Sequence, residues 1–306
     1  LNWRQFNLSR EAAVRFVQPS NGAIALNRIF DANPSVIQGR IDANGQIFLI
    51  NGNGILFDRG AQINVAGLVA SALDISDDTF KSGYQNITDG SPAFAYGGDL
   101  ASFEKSLVRV ENGANIRTAS GGQVFMFAKR VENAGRIETP QGQTLLAAGA
   151  KVYLMASDDP LLRGFLVEVD PYTNRRLRDD PANNPLAFAG APDSTVTNEK
   201  GAQGQGEIVA DRGNVTLLGH AVNQQGRISA TTSVNANGSV YLIARENTQA
   251  QTQPDNTQKR VAEINGTVTL GAGSVTEILP SRSTAVSYTH LRAHETDSYL
   301  VCRLLL

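Results

Sequence analysis

The sequence predicts an all-β protein folded as a parallel β-helix, a solenoid in which coils of about 20 residues stack on one another. Two observations support this fold class: a short strand pattern recurs after glycine, and the recurring glycines keep fixed spacings. The composition agrees, because the 306 residues include 29 glycines and only 18% charged residues, against about 25% charged in a typical soluble domain. Strands and turns are therefore expected to dominate over exposed helices.

The first recurring unit is a strand that begins directly after a glycine. Its second and fourth residues are apolar in every copy, its third is aromatic or Thr, and its fifth is again apolar. Alternation of this kind with apolar residues on both faces is typical of a strand buried on both sides. The four copies begin after Gly45, Gly122, Gly213 and Gly238.

The second recurring unit places one Ile between polar neighbours two residues after glycine. A single inward side chain between polar ones indicates a half-exposed strand. The copies begin at Gly39, Gly135, Gly206 and Gly226.

The spacing of these glycines fixes the repeat. Gly122 to Gly135 and Gly213 to Gly226 are both 13 residues apart, and Gly206 to Gly213 is 7 residues. A period of about 20 residues without helical periodicity favours a β-helix over leucine-rich or ankyrin repeats. We expect about ten coils and a rod roughly 50 Å long.

Three stretches interrupt the period. Residues 75–104 contain an acidic pair and the glycine pair Gly97-Gly98, and residues 157–206 contain five prolines with charged clusters and short apolar runs between them. We predict that both are extra-helical hairpins or short segments laid against the side of the solenoid, where they would cover the apolar fifth positions. Residues 248–259 are rich in Gln, Thr and Asn, which predicts a solvated loop.

Several function classes are disfavoured by composition. A net charge of −2 provides no general attraction to nucleic acid, and no apolar run reaches the roughly 18 residues that a membrane-spanning helix needs. Cys302 is the only thiol, so no disulfide framework or cysteine-rich zinc site is expected. No cofactor is predicted.

The C-terminal stretch differs from everything before it. Residues 287–306 hold two of the three histidines and the only cysteine, and they contain no glycine. This stretch resembles translated sequencing-adapter read-through, so we expect a non-native tail, with the β-helical region ending near Val286. The alternative is a native terminal strand or helix.

Candidate catalytic and metal-binding residues are few. The acidic pairs are Asp77-Asp78, Asp158-Asp159 and Asp179-Asp180, all within the interruptions. A β-helical polysaccharide lyase or hydrolase would instead place carboxylates at one strand position of successive coils, and calcium binding at one pair is a second alternative. His220 is the only histidine before the tail, so we expect a structural role for it, no enzyme and no metal site.

The first seventy-odd residues carry a specific family resemblance. They resemble the secretion domain of two-partner secretion exoproteins, the filamentous-haemagglutinin and high-molecular-weight-adhesin group of Gram-negative bacteria. The matching segments, in the family's order, are Trp3–Leu8, Val14–Pro19, Ala25–Ile29, Asn33–Ser35, Ile37–Gly39, Asn44–Phe57 and Gly60–Ser71.

The resemblance implies a right-handed parallel β-helix that is exported through the periplasm to the cell surface or the extracellular space. It implies a partner, an outer-membrane β-barrel transporter with periplasmic recognition domains, through which the domain directs a large exoprotein while nucleating β-helix folding. We accordingly expect residues 1–286 to be the secretion domain and the first coils of the exoprotein stem, without the preceding signal and cap. Direct binding of host cells or glycans by the coil surface is the alternative function.

The resemblance also marks two candidate motifs. The family's Asn-Pro-Asn-Gly-Ile hallmark corresponds to Asn51, Gly52, Asn53, Gly54 and Ile55, with Gly in place of Pro, and a secondary motif corresponds to Asn33, Pro34 and Ser35. Gly52 leaves the turn freer than Pro would. For the two asparagines, one interpretation is that they only satisfy turn backbone groups. The other is that they also form part of the surface that the transporter reads, by strand addition at an exposed edge.

Overall fold

The computed structural model describes residues 1–156, 164–172, 194–201, 204–233, 237–281 and 300–302. Three sheets of parallel strands run along one axis, and the chain visits them in the same order in each coil. We call them faces A, B and C. The predicted parallel β-helix is therefore confirmed.

Face A holds the first recurring unit. Its strands are Asn2–Trp3, Ile24–Ile29, Gln46–Asn51, Gly67–Ser71, Gln123–Ala128, Gln143–Ala148, Asn214–Gly219 and Ser239–Thr252, with Gln258–Asn265 and Leu300–Cys302 added antiparallel to the last of them.

Face B is the shortest face. Its strands are Ser35–Ile37, Ile55–Phe57, Leu107–Val110, Arg130–Asn133, Thr195–Asn198, Ala221–Gln224 and Thr267–Leu270. Leu8 adds an isolated parallel bridge to Ile37 at its N-terminal end.

Face C holds the second recurring unit and closes each coil. Its strands are Ala13–Phe16, Arg40–Ala43, Gln62–Val65, Asn115–Thr118, Arg136–Glu138, Glu207–Ala210, Arg227–Thr232 and Val275–Pro280. This sheet has 8 strands, so the described residues form eight coils. The expectation of about ten was wrong because the interruptions take up the length of further coils.

The core is a stack of identical inward positions. On face C, six isoleucines lie in register on consecutive strands and all have 0% exposure, namely Ile41, Ile63, Ile116, Ile137, Ile208 and Ile228. Each isoleucine packs on the one below, and most of these strands bury a second side chain two residues later, such as Val65, Thr118 or Ala210.

The glycines of the repeat lie where consecutive coils approach most closely. A Cβ on Gly142 would lie 1.6 Å from the carbonyl oxygen of Gly122, and a Cβ on Gly122 would lie 2.0 Å from that of Ala66. Only glycine fits such a contact, since the coils are one strand spacing apart. This close approach is the physical basis of the glycine spacing in the sequence.

A second buried ladder is polar. Asn133 Nδ2 donates to Asn198 Oδ1 at 2.8 Å, Asn198 Nδ2 donates to Gln224 Oε1 at 2.8 Å, and Gln224 Nε2 donates to the carbonyl oxygen of Val275 at 3.0 Å. All three amide side chains have 0% exposure. They continue, in the later coils, the face B column that Ile37, Phe57 and Val110 fill in the earlier ones.

Within the described residues, three large extra-helical excursions leave the rod at the same corner, between face A and face B. The first runs from the end of Gly67–Ser71 to Leu107–Val110 and contains the helices Asp77–Ser82 and Leu100–Lys105 and the strand Phe94–Ala95. The second contains the strands Lys151–Ala156 and Phe165–Asp170. These three strands form one antiparallel sheet. The prediction of segments laid on the side of the solenoid is confirmed, but the bounds 157–206 need correction. The second excursion already includes Lys151–Ala156, and Thr195–Asn198 is a face B strand of the rod because Val196 packs inward between Val131 and Val222.

The third excursion corrects the prediction for residues 248–259. Instead of a loop, Ser239–Thr252 extends beyond the rod and pairs with Gln258–Asn265 as a hairpin. The first recurring unit predicts the start of Ser239–Thr252, but residues 248–265 lack the regular apolar alternation by which a strand is recognised in a sequence. A minor hairpin, Lys200–Gly201 with Gly204–Gln205, projects from the face B to face C corner.

The excursions cover the outer side of face A through aromatic contacts. The ring of Phe48 lies 5.6 Å from Tyr84 and 6.3 Å from Phe94, and Phe94 lies 5.0 Å from Phe127, measured between ring centroids. Phe48 and Phe127 occupy the third and fifth positions of the first recurring unit. The apolar residues on the outside of face A therefore belong to a second core between rod and excursions.

Glu168 joins the second excursion to the third. Its side chain is 5% exposed, and Oε2 accepts from Arg245 Nε at 2.9 Å. Burial raises the pKa of Glu168 to about 6, although Arg245 acts in the opposite direction. The folded state therefore binds this proton more tightly than the unfolded state.

We expect this carboxyl to make stability depend on pH. Because the folded pKa lies above the unfolded value, its contribution is fully present below about pH 4.5 and is lost as pH rises through about 6, a change of about 2 kcal/mol. The measurement compares the free energy of unfolding of wild type and Glu168→Gln between pH 4.5 and 7. The difference between the two curves should vary with pH by this amount, and a constant difference would contradict the assignment.

Candidate functional site

The hallmark motif forms a tight turn at the corner where the face A strand Gln46–Asn51 ends and the face B strand Ile55–Phe57 begins. The amide of Gly54 donates to the carbonyl oxygen of Asn51 at 2.8 Å, which is the hydrogen bond of a four-residue β-turn. Gly52 and Asn53 are the central residues. The motif is thus a corner of the third coil.

Asn51 is the buried centre of this corner. Its side chain has 0% exposure. Oδ1 accepts from the amide of Asn53 at 3.0 Å, and Nδ2 donates to the carbonyl oxygen of Asn33 at 3.1 Å and to Ser35 Oγ at 3.0 Å. The side chain therefore closes its own turn and at the same time binds the preceding coil.

Asn53 makes a second link to the preceding coil. Its Nδ2 donates to the carbonyl oxygen of Asp31 at 2.7 Å, while the side chain stays partly exposed. In return, the amide of Ser35 donates to the carbonyl oxygen of Gly54 at 3.0 Å. The structure thus brings the two predicted motifs together into one hydrogen-bonded site, in which Asn33 and Pro34 are exposed and Ser35 is buried.

Gly54 and Ile55 connect the corner to the following coil. Gly54 has φ +107°, and a Cβ there would lie 2.2 Å from the carbonyl oxygen of Leu107. Ile55 has 0% exposure and pairs with Ser35 on one side and Val108 on the other. The second, third and fourth coils therefore meet at this motif, although the strand of the fourth coil follows only after the first excursion.

Two further residues of the site were missed in the sequence. Asp31 Oδ1 accepts from the amide of Asn33 at 3.0 Å and shapes the secondary motif; an Asp two residues before an Asn-Pro pair is a local turn signal that could have revealed it. Arg28 donates to Asp74 at 2.9 Å and to Asp77 at 2.6 Å. It fastens the second coil to the first excursion, and no local pattern indicates that contact.

Gly52 is the one motif position with free space around it. Its nearest neighbours are ring atoms of Tyr96, 4.0 Å from a hypothetical Cβ, and its φ is not positive. It stands at the first central position of the turn, where Pro is favoured because the ring presets φ. The structure therefore accommodates the family's proline at this position.

We expect Gly52→Pro to stabilise the protein by about 0.4–1 kcal/mol, because proline reduces the freedom of the unfolded chain without disturbing the turn. Thermal unfolding should show a small rise in melting temperature. Gly52→Ala is the matched control and should shift the melting temperature in the same direction by less. A lower melting temperature for Gly52→Pro would show that the turn does not accept the ring.

Comparison with known proteins identifies the family. A family model described as the TPS secretion domain matches residues 1–160, which is more than half of the chain and includes the whole corner site. The chain belongs to the TPS secretion domain family. Two-partner secretion exoproteins are exported through the periplasm to the cell surface or the extracellular space, so the family membership confirms the predicted secreted localisation.

Curated relatives match the same region. The chain is 43% identical over 75 residues to a heme/hemopexin-binding protein of Haemophilus influenzae, covering 24% of this chain and 8% of the relative. It is 41% identical over 75 residues to the protein of the same name from Haemophilus influenzae strain ATCC 51907 / DSM 11121 / KW20 / Rd, again covering 24% and 8%. The chain thus matches less than a tenth of the length of these relatives.

A solved structure supports the fold. The crystal structure of the HMW1 secretion domain from Haemophilus influenzae superposes with a TM-score of 0.60 at 28% identity, covering 80% of this chain and 55% of that chain. The TPS secretion domain described here is accordingly a right-handed parallel β-helix with extra-helical excursions, as the sequence predicts.

The other candidate residues, where the structure describes them, make contacts that support the fold. Asp77 and Asp78 begin the helix Asp77–Ser82, and the hydrogen bond from Arg28 lowers the pKa of Asp77. His220 Nδ1 lies 3.5 Å from Glu246 Oε1 where the seventh coil turns from face A to face B. Asp158-Asp159 and Asp179-Asp180 lie outside the described residues.

Two features are absent from the described part of the chain. Among the described residues, no group of three or more His, Cys, Asp or Glu side chains is placed to hold a metal ion. Within the same part of the chain, no helix is long and apolar enough to cross a bilayer.

Proposed function

We propose that residues 1–286 act as the secretion module of a larger exoprotein, directing it through an outer-membrane β-barrel transporter whose periplasmic domains recognise the module. The module acts by recognition and by nucleating the β-helix, without a catalytic step. The observation that carries this proposal is the corner site: in a member of the TPS secretion domain family, both candidate motifs converge on one hydrogen-bonded turn.

The buried and the exposed residues of the two motifs have different roles, the first in folding and the second in recognition. Asn51 and Gly54 are buried and hold three coils in register, so they act on export through the fold. Asn33, Pro34 and Asn53 reach solvent at the same corner, so they form the surface that the transporter reads. The corner would thus be a rigid support that presents a small exposed patch.

Export and stability measured together on the same variants test this division. Pro34→Ala changes an exposed side chain, so we expect reduced export through the co-expressed transporter with an almost unchanged melting temperature. Asn51→Ala should lower both quantities, since it leaves buried polar groups without partners, at a cost of about 1–3 kcal/mol for each group.

A matched control is Val17→Ala, which changes a side chain that is 81% exposed at a different corner of the rod and should affect neither quantity. Asn53→Ala tests both roles, because Asn53 is partly exposed and also donates a hydrogen bond to the preceding coil. If its loss of export only follows its loss of stability, and Pro34→Ala is exported normally, the corner has no direct role in recognition.

A further inference from the structure

The hairpin of the third excursion fastens the two earlier excursions to each other. We call residues 245–265, the distal part of Ser239–Thr252 together with Gln258–Asn265, the strap. Arg260 Nε and Nη2 both donate to the carbonyl oxygen of Gly90 in the first excursion, at 2.9 and 2.8 Å. The amide of Gln258 donates to the carbonyl oxygen of Thr88 at 3.0 Å. The strap thus holds a segment that precedes it by 170 residues.

The strap contacts the second excursion through a separate set of interactions. Asp170 Oδ1 accepts from the amide of Thr248 at 2.6 Å and from its Oγ1 at 2.9 Å, and Asp170 Oδ2 accepts from the hydroxyl of Tyr153 at 2.6 Å. The guanidinium of Arg260 lies 4.4 Å from the centroid of the Tyr153 ring, within cation–π range. Arg245 pairs with Glu168. Arg260 therefore contacts both excursions at once.

The attachment of the strap is polar, and its packing is incomplete. Gln258–Asn265 has no buried residue, and a cavity of about 440 Å³ lies between the strap, the second excursion and face A, lined in part by Phe165, Tyr241, Ile243 and Val261. Asn214 Nδ2, on the wall of this cavity, is buried without a hydrogen-bond partner. In contrast, the coils beneath have continuous apolar ladders. Segments with few buried apolar contacts open at lower free energy than the core.

We infer that the strap is a latch that opens and closes independently of the coils, and that its docking locks the excursions over face A. This goes beyond the proposed function. It follows that the complete locked unit extends to Asn265, well past the family match that ends at residue 160. During synthesis or export from the N-terminus, the cover of face A stays unlocked until the eighth coil is present.

Hydrogen exchange of the full chain, followed by mass spectrometry, tests the latch. In Arg260→Ala we expect exchange of residues 84–95, 165–170 and 245–265 to rise roughly tenfold or more, as the loss of hydrogen bonds from a charged donor implies. Exchange in the coil strands Gln123–Ala128 and Arg227–Thr232 should stay unchanged. Gln251→Ala is the matched control, because it changes an exposed strap residue, and it should leave all segments as in wild type.

Two results would overturn the inference. Equal acceleration in the coil strands would show that the strap unfolds only with the rod, and unchanged exchange in the excursions would show that the strap does not hold them. Thr248→Val removes one hydroxyl hydrogen bond to Asp170 with little change in shape and should produce the same pattern with a smaller amplitude. If Arg260→Ala does not fold, Thr248→Val decides between the same results.

Discussion

Gly54→Ala is expected to lower the free energy of unfolding by roughly 3–5 kcal/mol. Part of this cost comes from forcing a side chain to the positive φ of +107°, which costs about 1–3 kcal/mol for a residue other than glycine. The rest comes from moving the carbonyl of Leu107, which lies 2.2 Å from the new Cβ, since overpacking costs about 1–3 kcal/mol. Denaturant unfolding measures the loss directly.

Gly52→Ala is the control for Gly54→Ala, because it makes the same chemical change two residues away in the same turn. Gly52 has no close neighbour and no positive φ. Its substitution by Ala should therefore leave the free energy of unfolding equal to that of the wild type or higher by up to about 0.5 kcal/mol. Similar losses for the two variants would mean that the turn does not have the described backbone.

Phe94→Ala is expected to destabilise the protein by about 3–5 kcal/mol, the usual cost of truncating a buried Phe. Phe94 belongs to the first excursion, has 0% exposure, and contacts Phe48 and Phe127 of the rod. Its removal should leave a cavity between face A and the excursions. Chemical denaturation should therefore show a lower midpoint.

Phe30→Ala provides the comparison for Phe94→Ala, since Phe30 is 69% exposed and its truncation should change stability by less than about 0.5 kcal/mol. Phe94→Leu should fall between the two because it keeps most of the apolar volume. If Phe94→Ala behaves like Phe30→Ala, the excursions do not pack on the rod as a second core.

The coils could be predicted because each one repeats the same local requirement. Gly142 must be glycine where it meets the carbonyl of Gly122, and Ile137 must be apolar where it packs between Ile116 and Ile208. These requirements recur at regular sequence distances, so a single sequence displays them many times. For the same reason, the apolar fifth positions, such as Phe127, correctly indicated that something must cover face A.

The amide ladder shows why other features could not be predicted. Asn133, Asn198 and Gln224 lie on three consecutive coils, but the second excursion separates the first two of them by 65 residues. An isolated buried amide is costly unless it finds a partner, and only the register of face B supplies that partner. The same applies to Arg109, which pairs with Glu111, Glu132 and Glu199 across separations of up to 90 residues.

By itself, the sequence determined the β-helix, its approximate period, the family and the two candidate motifs, because all of these depend on local spacing. The tertiary structure alone decided that Asn51 reaches Asn33 and Ser35, that Gly54 meets Leu107 across the first excursion, and that residues 245–265 form a strap rather than a loop. Each of these contacts joins residues whose distance along the chain depends on the excursions, so only the stacking of the coils brings them together.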